Sequence, residues 1–423
     1  MDPDTLHKKI VSSTNVKNAI IIIDKESQKD KESNQNLSSK TKEDSSEPKQ
    51  IALSLKILSK EYDFYERALC SSKPTGPLKA YSYNSYHGLC KKINEDKIIV
   101  VNQIKKPNSS KLKTWPKISY FGIFDGHGGE GCSEFLKDNF LQCLLKNPNF
   151  PIDIKKCLTE TFETIEDKFF KEKCSSTENY DGSGSCALAV LIFDNKLYIA
   201  NIGDSRAILS LNGGTKVKQL TIDHKPDNPK EFERAMRNKS KVYVDDSDDP
   251  VRDVSKLVFI KDKSEFEKHK KRKEVIIFRE YPSDLAVMRT IGDIKVKKKE
   301  FGGKPGTIIS TPEIFIYDLT SSDDFLVLGC DGIYDDLSNQ EVVNAAWYIY
   351  KNKTKEKNYD INELTQDACD MIIKYAMEKK TSDNLSCIII GLEGLEKFLK
   401  NKMTKDKVNN SFKKDFKRAQ TIK

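Results

Sequence analysis

The residues of this chain that suit catalysis stand at the ends of apolar stretches typical of buried strands. The first is Asp125, which follows the run Tyr120–Phe124 and precedes Gly126-His127-Gly128-Gly129. A carboxylate held at a strand end suits a metal ion, and a neighbouring histidine suits proton transfer near neutral pH. Taken alone, the Asp-Gly pair is also typical of a type I′ hairpin turn.

The same arrangement of a carboxylate beside an apolar stretch recurs along the chain. Asp96, next to Glu95, precedes Ile98–Val101, Asp331 follows Phe325–Cys330, and Asp383 precedes Cys387–Leu392. If these strand ends converge, the crowded carboxylates repel one another and need hard, oxygen-preferring cations such as Mg²⁺ or Mn²⁺.

Two such ions can activate water for in-line attack on a phosphoryl group. His127 would then protonate the leaving oxygen. The pattern therefore predicts a metal-dependent phosphohydrolase, provided that folding brings the acids together.

The elements that must position these residues have clear periodicities. Two helical stripes follow Gly129, one from Phe135 to Leu144 and one from Ile154 to Phe169. Four strands joined by short turns then predict an antiparallel meander: Ser185–Phe193, Lys196–Ile202, Ser205–Leu211 and Lys216–Leu220. The expected fold class is α+β, an antiparallel sheet or sandwich with helices on its outer faces.

Two later helices have recognisable starts. Asn228-Pro229 is a cap followed by proline, and Ser338 with Glu341 forms a capping box. Between them, residues 241–281 are highly charged, and we interpret them as a mobile insertion, a flap beside the active site.

The domain organisation follows from composition. Residues 1–75 are expected to be a largely disordered extension with a short helix near 51–62, residues 76–395 the catalytic domain, and residues 396–423 a basic tail. The formal net charge of the 423 residues is +8, and residues 397–423 alone carry ten Lys or Arg against two Asp. The body is therefore close to neutral.

This charge distribution bears on the partners. A metal-dependent phosphodiesterase acting on nucleic acid would have basic residues near the acids, but the strongest basic run is in the tail, so no nucleic acid is expected. The ten cysteines do not show the spacing of zinc ligands, and we interpret them as reduced thiols of the core. Reduced thiols favour a location in the cytoplasm or nucleus. We expect a monomer with no transmembrane segment.

Six motifs in order resemble those of the metal-dependent protein serine/threonine phosphatases of type 2C. The resemblance covers about Gly76 to Gly394 and is carried by the following segments: Phe121–Gly129, Ile202–Arg206, Asp223–Pro229, Leu285–Asp293, Cys330–Asp335 and Ser382–Asn384. It implies a central antiparallel β-sandwich flanked by helices on its outer faces, with a binuclear metal cleft at one edge. It also implies hydrolysis of phosphoserine and phosphothreonine in proteins by a metal-bound hydroxide, with Mg²⁺ or Mn²⁺ as two ions and a third in some cases.

The resemblance also implies roles for individual residues. Asp125 would bridge the ions, the Gly126 carbonyl would bind one, and Asp331 and Asp383 would bind the other. Glu95 and Asp96 would contribute direct or water-mediated contacts, and His127 would be the general acid. A third, weaker metal site would use Asp204 and Asp335.

One departure from the family pattern affects phosphate binding. Lys91 stands where the phosphate-binding arginine is expected, and lysine keeps the charge but loses the planar, two-pronged donor. This substitution favours the alternative of a catalytically weak or silent phosphatase-fold protein that binds phosphorylated partners, whereas the complete set of acids favours the enzyme. Arg206 and Arg289 are expected to form structural ion pairs.

Overall fold

A computed structural model describes residues 66–70, 76–106, 112–245, 257–270, 277–355, 360–402 and 404. The predictions for the N-terminal extension, including the helix near 51–62, and for most of the basic tail lie outside these residues. The strands in chain order are β1 Leu69–Cys70, β2 Ala80–Tyr86, β3 Lys97–Val101, β4 Ile118–Phe124, β5 Gly126–His127, β6 Gly184–Ser185, β7 Ala187–Phe193, β8 Lys196–Ile202, β9 Arg206–Leu211, β10 Lys216–Gln219, β11 Lys241–Asp245, β12 Val258–Ile260, β13 Ile277–Tyr281, β14 Ile291–Gly292, β15 Glu313–Asp318, β16 Asp323–Gly329 and β17 Leu385–Gly391.

The helices are α1 Gly131–Lys146, α2 Ile154–Lys173, α3 Pro229–Arg237, α4 Lys263–Lys270, α5 Ile294–Lys297, α6 Asp331–Tyr334, α7 Asn339–Asn352 and α8 Ile361–Glu378. Short 3₁₀ turns follow at Lys299–Phe301 and Lys353–Lys355, and residues 393–402 are helical. No helix in the described part of the chain is both long and apolar enough to span a bilayer.

Two large antiparallel sheets form the centre of the fold. One has the strand order β1-β2-β17-β16-β9-β10, and the other has the order β15-β8-β7-β4-β3. Tyr81 of β2 contacts Phe121 of β4 edge to face, with ring centroids 5.7 Å apart, so the sheets pack face to face. The central strands β4, β16 and β17 are buried along their whole length, which explains why apolar residues predominate in them.

Helices cover the outer faces of both sheets. The apolar stripes of α1 and α2 pack on the five-stranded sheet, and α8 packs on β2 and β17 of the six-stranded sheet beside α7. The predicted sandwich with flanking helices is confirmed. Both predicted helix starts are also correct, since the Asn228 side chain accepts the Lys230 N–H and the Ser338–Glu341 capping box is formed.

The prediction of one four-stranded meander is wrong. The hairpin β7–β8 lies in the five-stranded sheet, whereas β9–β10 lies in the six-stranded sheet, where β9 pairs with β16. The chain crosses between sheets at Gly203, whose φ of +88° and whose close approach to Cys186 leave no room for a Cβ atom. A sequence pattern of short strands and turns does not reveal this crossing.

The charged insertion contains a small folded sheet. Its strand order is β12-β11-β13, and α4 packs beside it. The apolar cluster includes Val242, Ile260 and Phe266 of the insertion together with Phe232 of α3, whose ring stacks on Phe266 with centroids 4.3 Å apart. The insertion is therefore packed against α3, a contact that the charge-rich sequence did not predict.

Candidate active site

Two aspartates from different sheets meet at the edge of the sandwich. Asp125 directly follows β4, and Asp331 opens α6 two residues after β16 ends. The Asp331 backbone N–H donates to Oδ2 of Asp125 at 3.5 Å, although the residues are 206 positions apart. Ligand atoms of Asp125, Asp331 and Cys330 all lie within 4.8 Å of one another. The convergence assumed in the sequence analysis is present for this pair.

Burial and mutual repulsion dominate the electrostatics of this cluster. Burial raises the pKa of Asp125 well above its usual range, and the charges of Asp331, Asp96 and Asp204 raise it further. The pKa of Asp331 is also raised by burial and by neighbouring acids, including Asp335. Burial raises the pKa of Asp96 to about 6.

The chemistry of the donor set fits a hard divalent cation. Oδ2 of Asp96 is buried and has no hydrogen-bond partner in the part of the chain that the structure describes. An unpartnered carboxylate oxygen among like charges is costly unless a cation neutralises it. Apart from the Cys330 sulfur, the grouped donors are carboxylate oxygens, which Mg²⁺ and Mn²⁺ prefer.

Asn384 attaches the loop that carries Glu95 to the start of β17. Its Oδ1 accepts the Glu95 backbone N–H at 2.9 Å, and its Nδ2 donates to the carbonyls of His87 and Ile93 at 2.9 and 3.1 Å. Asp383 directly precedes Asn384, so these three hydrogen bonds bring Glu95 and Asp383 to the same edge of the sandwich. Asn384 belongs to the motif Ser382–Asn384, but its local sequence does not indicate this role.

Gly126 is required because the backbone at Glu95 and the first turn of α1 pack closely against it. A Cβ atom there would lie 2.5 Å from the Glu95 carbonyl oxygen and 2.8 Å from Oγ of Ser133. The Gly129 N–H donates to Oε1 of Glu95 at 2.7 Å, which holds that carboxylate against the glycine-rich turn. These contacts position Glu95 beside the strand that ends at Asp125.

His127 is paired with an aspartate that the sequence analysis did not assign. A three-stranded sheet, β14-β6-β5, brings them together, and Nε2 of His127 lies 2.9 Å from Oδ2 of Asp293. Burial alone would lower the pKa of His127, but the charge and hydrogen bond of Asp293 raise it. The sequence signal for Asp293 was its place as the last residue of the motif Leu285–Asp293.

This pairing favours a protonated imidazole. Both ring nitrogens carry protons in the imidazolium form, and Asp293 engages only Nε2. Among the described residues, none forms a hydrogen bond with Nδ1 of His127. The Nδ1 proton is therefore the one available to a substrate oxygen.

Lys91 lies at the rim of the acid cluster. Its Nζ is 3.0 Å from Oδ1 of Asp383 and 4.0 Å from Oε2 of Glu95. Burial lowers the pKa of Lys91, but the hydrogen bond and charge of Asp383 outweigh it and raise the pKa. The ammonium is charged and close to two of the predicted metal ligands.

Lys225 joins the two acids predicted for a third metal site. Its Nζ lies 3.3 Å from Oδ2 of Asp204 and 2.8 Å from Oδ1 of Asp335. Burial lowers the pKa of Lys225, but the charges of Asp204 and Asp335 raise it well above its usual range. No role for Lys225 follows from the sequence, because its neighbours along the chain do not indicate its distant partners.

The two arginines form the structural ion pairs that were predicted. Nη2 of Arg206 lies 2.6 Å from Oδ2 of Asp223, and Nη2 of Arg289 lies 2.6 Å from Oε1 of Glu231. Both pairs fix segments that flank the acid cluster rather than contribute to it.

A sandwich edge that gathers carboxylates suited to hard cations, beside a histidine whose pKa an aspartate raises, is typical of a metal-dependent phosphohydrolase. Residues 87–385 match the family described as "Protein phosphatase 2C", and the chain belongs to this family. It is therefore an enzyme of the protein serine/threonine phosphatase class, and the predicted family and enzyme class are confirmed. The family is metal-dependent.

Relatives from distant organisms agree with this assignment. "Probable protein phosphatase 2C 54" of Oryza sativa subsp. japonica is 29% identical over 298 residues, which cover 70% of this chain and 68% of the relative. "Integrin-linked kinase-associated serine/threonine phosphatase 2C" of Mus musculus is 28% identical over 306 residues, again 70% and 68% of the two chains. The match thus spans about two thirds of each relative.

A solved structure supports the fold. The serine-threonine phosphatase 2C from Toxoplasma gondii superposes with a TM-score of 0.54 at 17% sequence identity, covering 78% of this chain and 100% of that chain. At this identity the likeness concerns the fold alone.

Proposed function

We propose that this chain hydrolyses phosphoserine and phosphothreonine in proteins with the help of two Mg²⁺ or Mn²⁺ ions. The observation that carries the proposal is the approach of Asp125 and Asp331 to a common centre from two different sheets. Their raised pKa values support it, because like charges that folding forces together require a neutralising cation.

The residues that would hold the ions are those predicted from the sequence. They are Asp125, the Gly126 carbonyl, Asp331, Asp383, Glu95 and Asp96. When bound, the ions would supply the Lewis acidity that ionises water and the positive charge that draws in phosphate oxygens.

The side chains around this centre have separate tasks. His127 donates a proton to the serine or threonine oxygen that leaves, and Asp293 keeps the imidazole charged and oriented. Lys91 adds positive charge at the rim, where the phosphate enters, but its bond to Asp383 leaves it less free to engage phosphate than a planar guanidinium.

The substitution Asp125→Asn tests the proposal. It should abolish Mn²⁺-dependent phosphate release from a phosphothreonine peptide, because it removes a charged ligand from the centre. Asp318→Asn is the matched control, since that side chain is 74% exposed and pairs with Lys196 of β8, outside the acid cluster. Circular dichroism would verify that both variants fold, and full activity in Asp125→Asn would refute the proposal.

The contact between Lys91 and Asp383 favours a second candidate, a phosphatase-fold protein that binds phosphorylated partners without turnover. The assay separates the two functions. Phosphopeptide binding without phosphate release in millimolar Mn²⁺ would support the binding protein, and release that requires Asp125 would support the enzyme.

We further propose that the chain acts as a monomer in a reducing compartment, the cytoplasm or the nucleus. All ten cysteines are free, and six of them are buried, which supports the role of core thiols. Sedimentation analysis of the full chain would test the oligomeric state.

A further inference from the structure

The strongest feature outside the proposed two-ion centre is the ammonium between Asp204 and Asp335. Nζ of Lys225 lies 3.3 Å from one carboxylate and 2.8 Å from the other. Mg²⁺ binds oxygen at about 2.0–2.1 Å, so an ion that bound both carboxylates directly would have to lie where the ammonium now lies. A third divalent cation and Lys225 therefore compete for one place.

The two residues before Lys225 are held by contacts with other segments of the fold. The preceding residue, His224, is fully buried and donates its N–H to the Gly203 carbonyl at 2.9 Å, while its own carbonyl accepts the Met288 N–H at 2.7 Å. Asp223 is held by Arg206. Because the segment is fixed, the fold positions the side chain of Lys225 between Asp204 and Asp335.

The two carboxylates differ in exposure, which determines how the ammonium can leave. The Asp204 side chain is 3% exposed, whereas that of Asp335 is 57% exposed. Lys225 itself is 29% exposed. Water can therefore replace its contact with Asp335, and displacement by a cation would begin on that side.

We propose that the ammonium of Lys225 takes the place of a third divalent cation, so that the chain binds two ions and admits a third only by displacing this lysine. The proposal rests on the proposed two-ion function. A divalent ion near a retained ammonium is repelled by it, whereas removal of the lysine leaves two unneutralised carboxylates that attract the ion.

The test counts Mn²⁺ ions bound per full-length chain by equilibrium dialysis and isothermal titration calorimetry. The wild type and the charge-conserving Lys225→Arg should bind two ions. Lys225→Gln should bind a third ion at least about tenfold more tightly than the wild type does. The matched control Lys196→Gln, which loses an exposed pair with Asp318, should behave like the wild type.

A double variant identifies the site of the third ion. Adding Asp335→Asn to Lys225→Gln should return the count to two, because one of the two ligands is lost. The inference is overturned if the wild type and Lys225→Gln bind the same number of ions with equal affinity. A wild type that binds no Mn²⁺ would instead overturn the proposed function, and the inference with it.

A measurement on the wild type avoids any dependence on the folding of variants. Reductive methylation of Lys225, followed by mass spectrometry, should stay slow while two ions are bound. It should accelerate only at Mn²⁺ concentrations that fill a third site. A methylation rate that is fast without metal and unchanged by Mn²⁺ would overturn the inference.

Discussion

The partnership of His127 with Asp293 can be tested by Asp293→Asn. This change removes one negative charge but keeps the shape of the side chain. Asp293 has a φ of +54°, a left-handed conformation that asparagine tolerates better than most residues, so the backbone should keep its path. The substitution therefore isolates the effect of charge on the imidazole.

The expected loss follows from the opposing influences on His127. Burial favours the neutral imidazole, and the charge and hydrogen bond of Asp293 reverse that preference. Without this charge the pKa of His127 falls, and less of the enzyme carries the proton that the leaving oxygen needs. General acid catalysis contributes about 10²–10⁴-fold, so we expect a loss of about 100-fold in kcat on a phosphoserine peptide at about pH 8.

The pH profile and the choice of substrate distinguish this role from a structural one. The loss should shrink toward about pH 6, where the variant imidazole regains its proton, and the alkaline limb of kcat should shift to lower pH. With p-nitrophenyl phosphate, whose leaving group needs no proton, the loss should be much smaller. Equal losses on both substrates with an unshifted profile would refute the reasoning, and Asp318→Asn serves as the control.

Two further predictions concern Lys91 and Asp96. Lys91→Arg introduces a planar donor and should lower KM for a phosphopeptide about three- to tenfold. Lys92→Arg is the control. An unchanged KM in Lys91→Arg would show that residue 91 does not contact the phosphate. In metal-free protein, Asp96 has a pKa of about 6 in the folded state and about 3.9 in the unfolded state. The folded state therefore binds the proton more tightly, and the free energy of unfolding of the wild type should fall relative to that of Asp96→Asn as pH rises from about 4 to 6. The expected decrease is on the order of 2–3 kcal/mol. Urea unfolding across this range measures the difference, and a difference independent of pH would contradict the assignment.

The sequence predicted well those features that depend on neighbouring residues. The Asn228 cap and the box of Ser338 with Glu341 are local hydrogen-bond patterns, and both are formed. The stripe of α2 repeats with the helical period because one face of that helix must be buried on a sheet. The apolar stretch before Asp125 likewise marks a strand buried on both faces.

Pairings between distant residues could not be read in this way. His127 and Asp293 are 166 positions apart and meet through β6, which pairs with the strands on both sides of it. Lys225 reaches Asp335 across 110 positions. Neither contact produces a periodic pattern in the sequence, because each depends on sheet register and on the path of the loops between elements.

The amino-acid sequence by itself determined the main strands and helices of the sandwich, and it placed an acid at each of several strand ends. Only the tertiary structure decided that β8 and β9 enter different sheets at Gly203, and that Asp125 and Asp331 meet at the edge of the sandwich. The physical reason is the difference in sequence range between the two kinds of interaction. Burial patterns and capping act over a few residues, whereas a site assembled from two sheets depends on how those sheets pack.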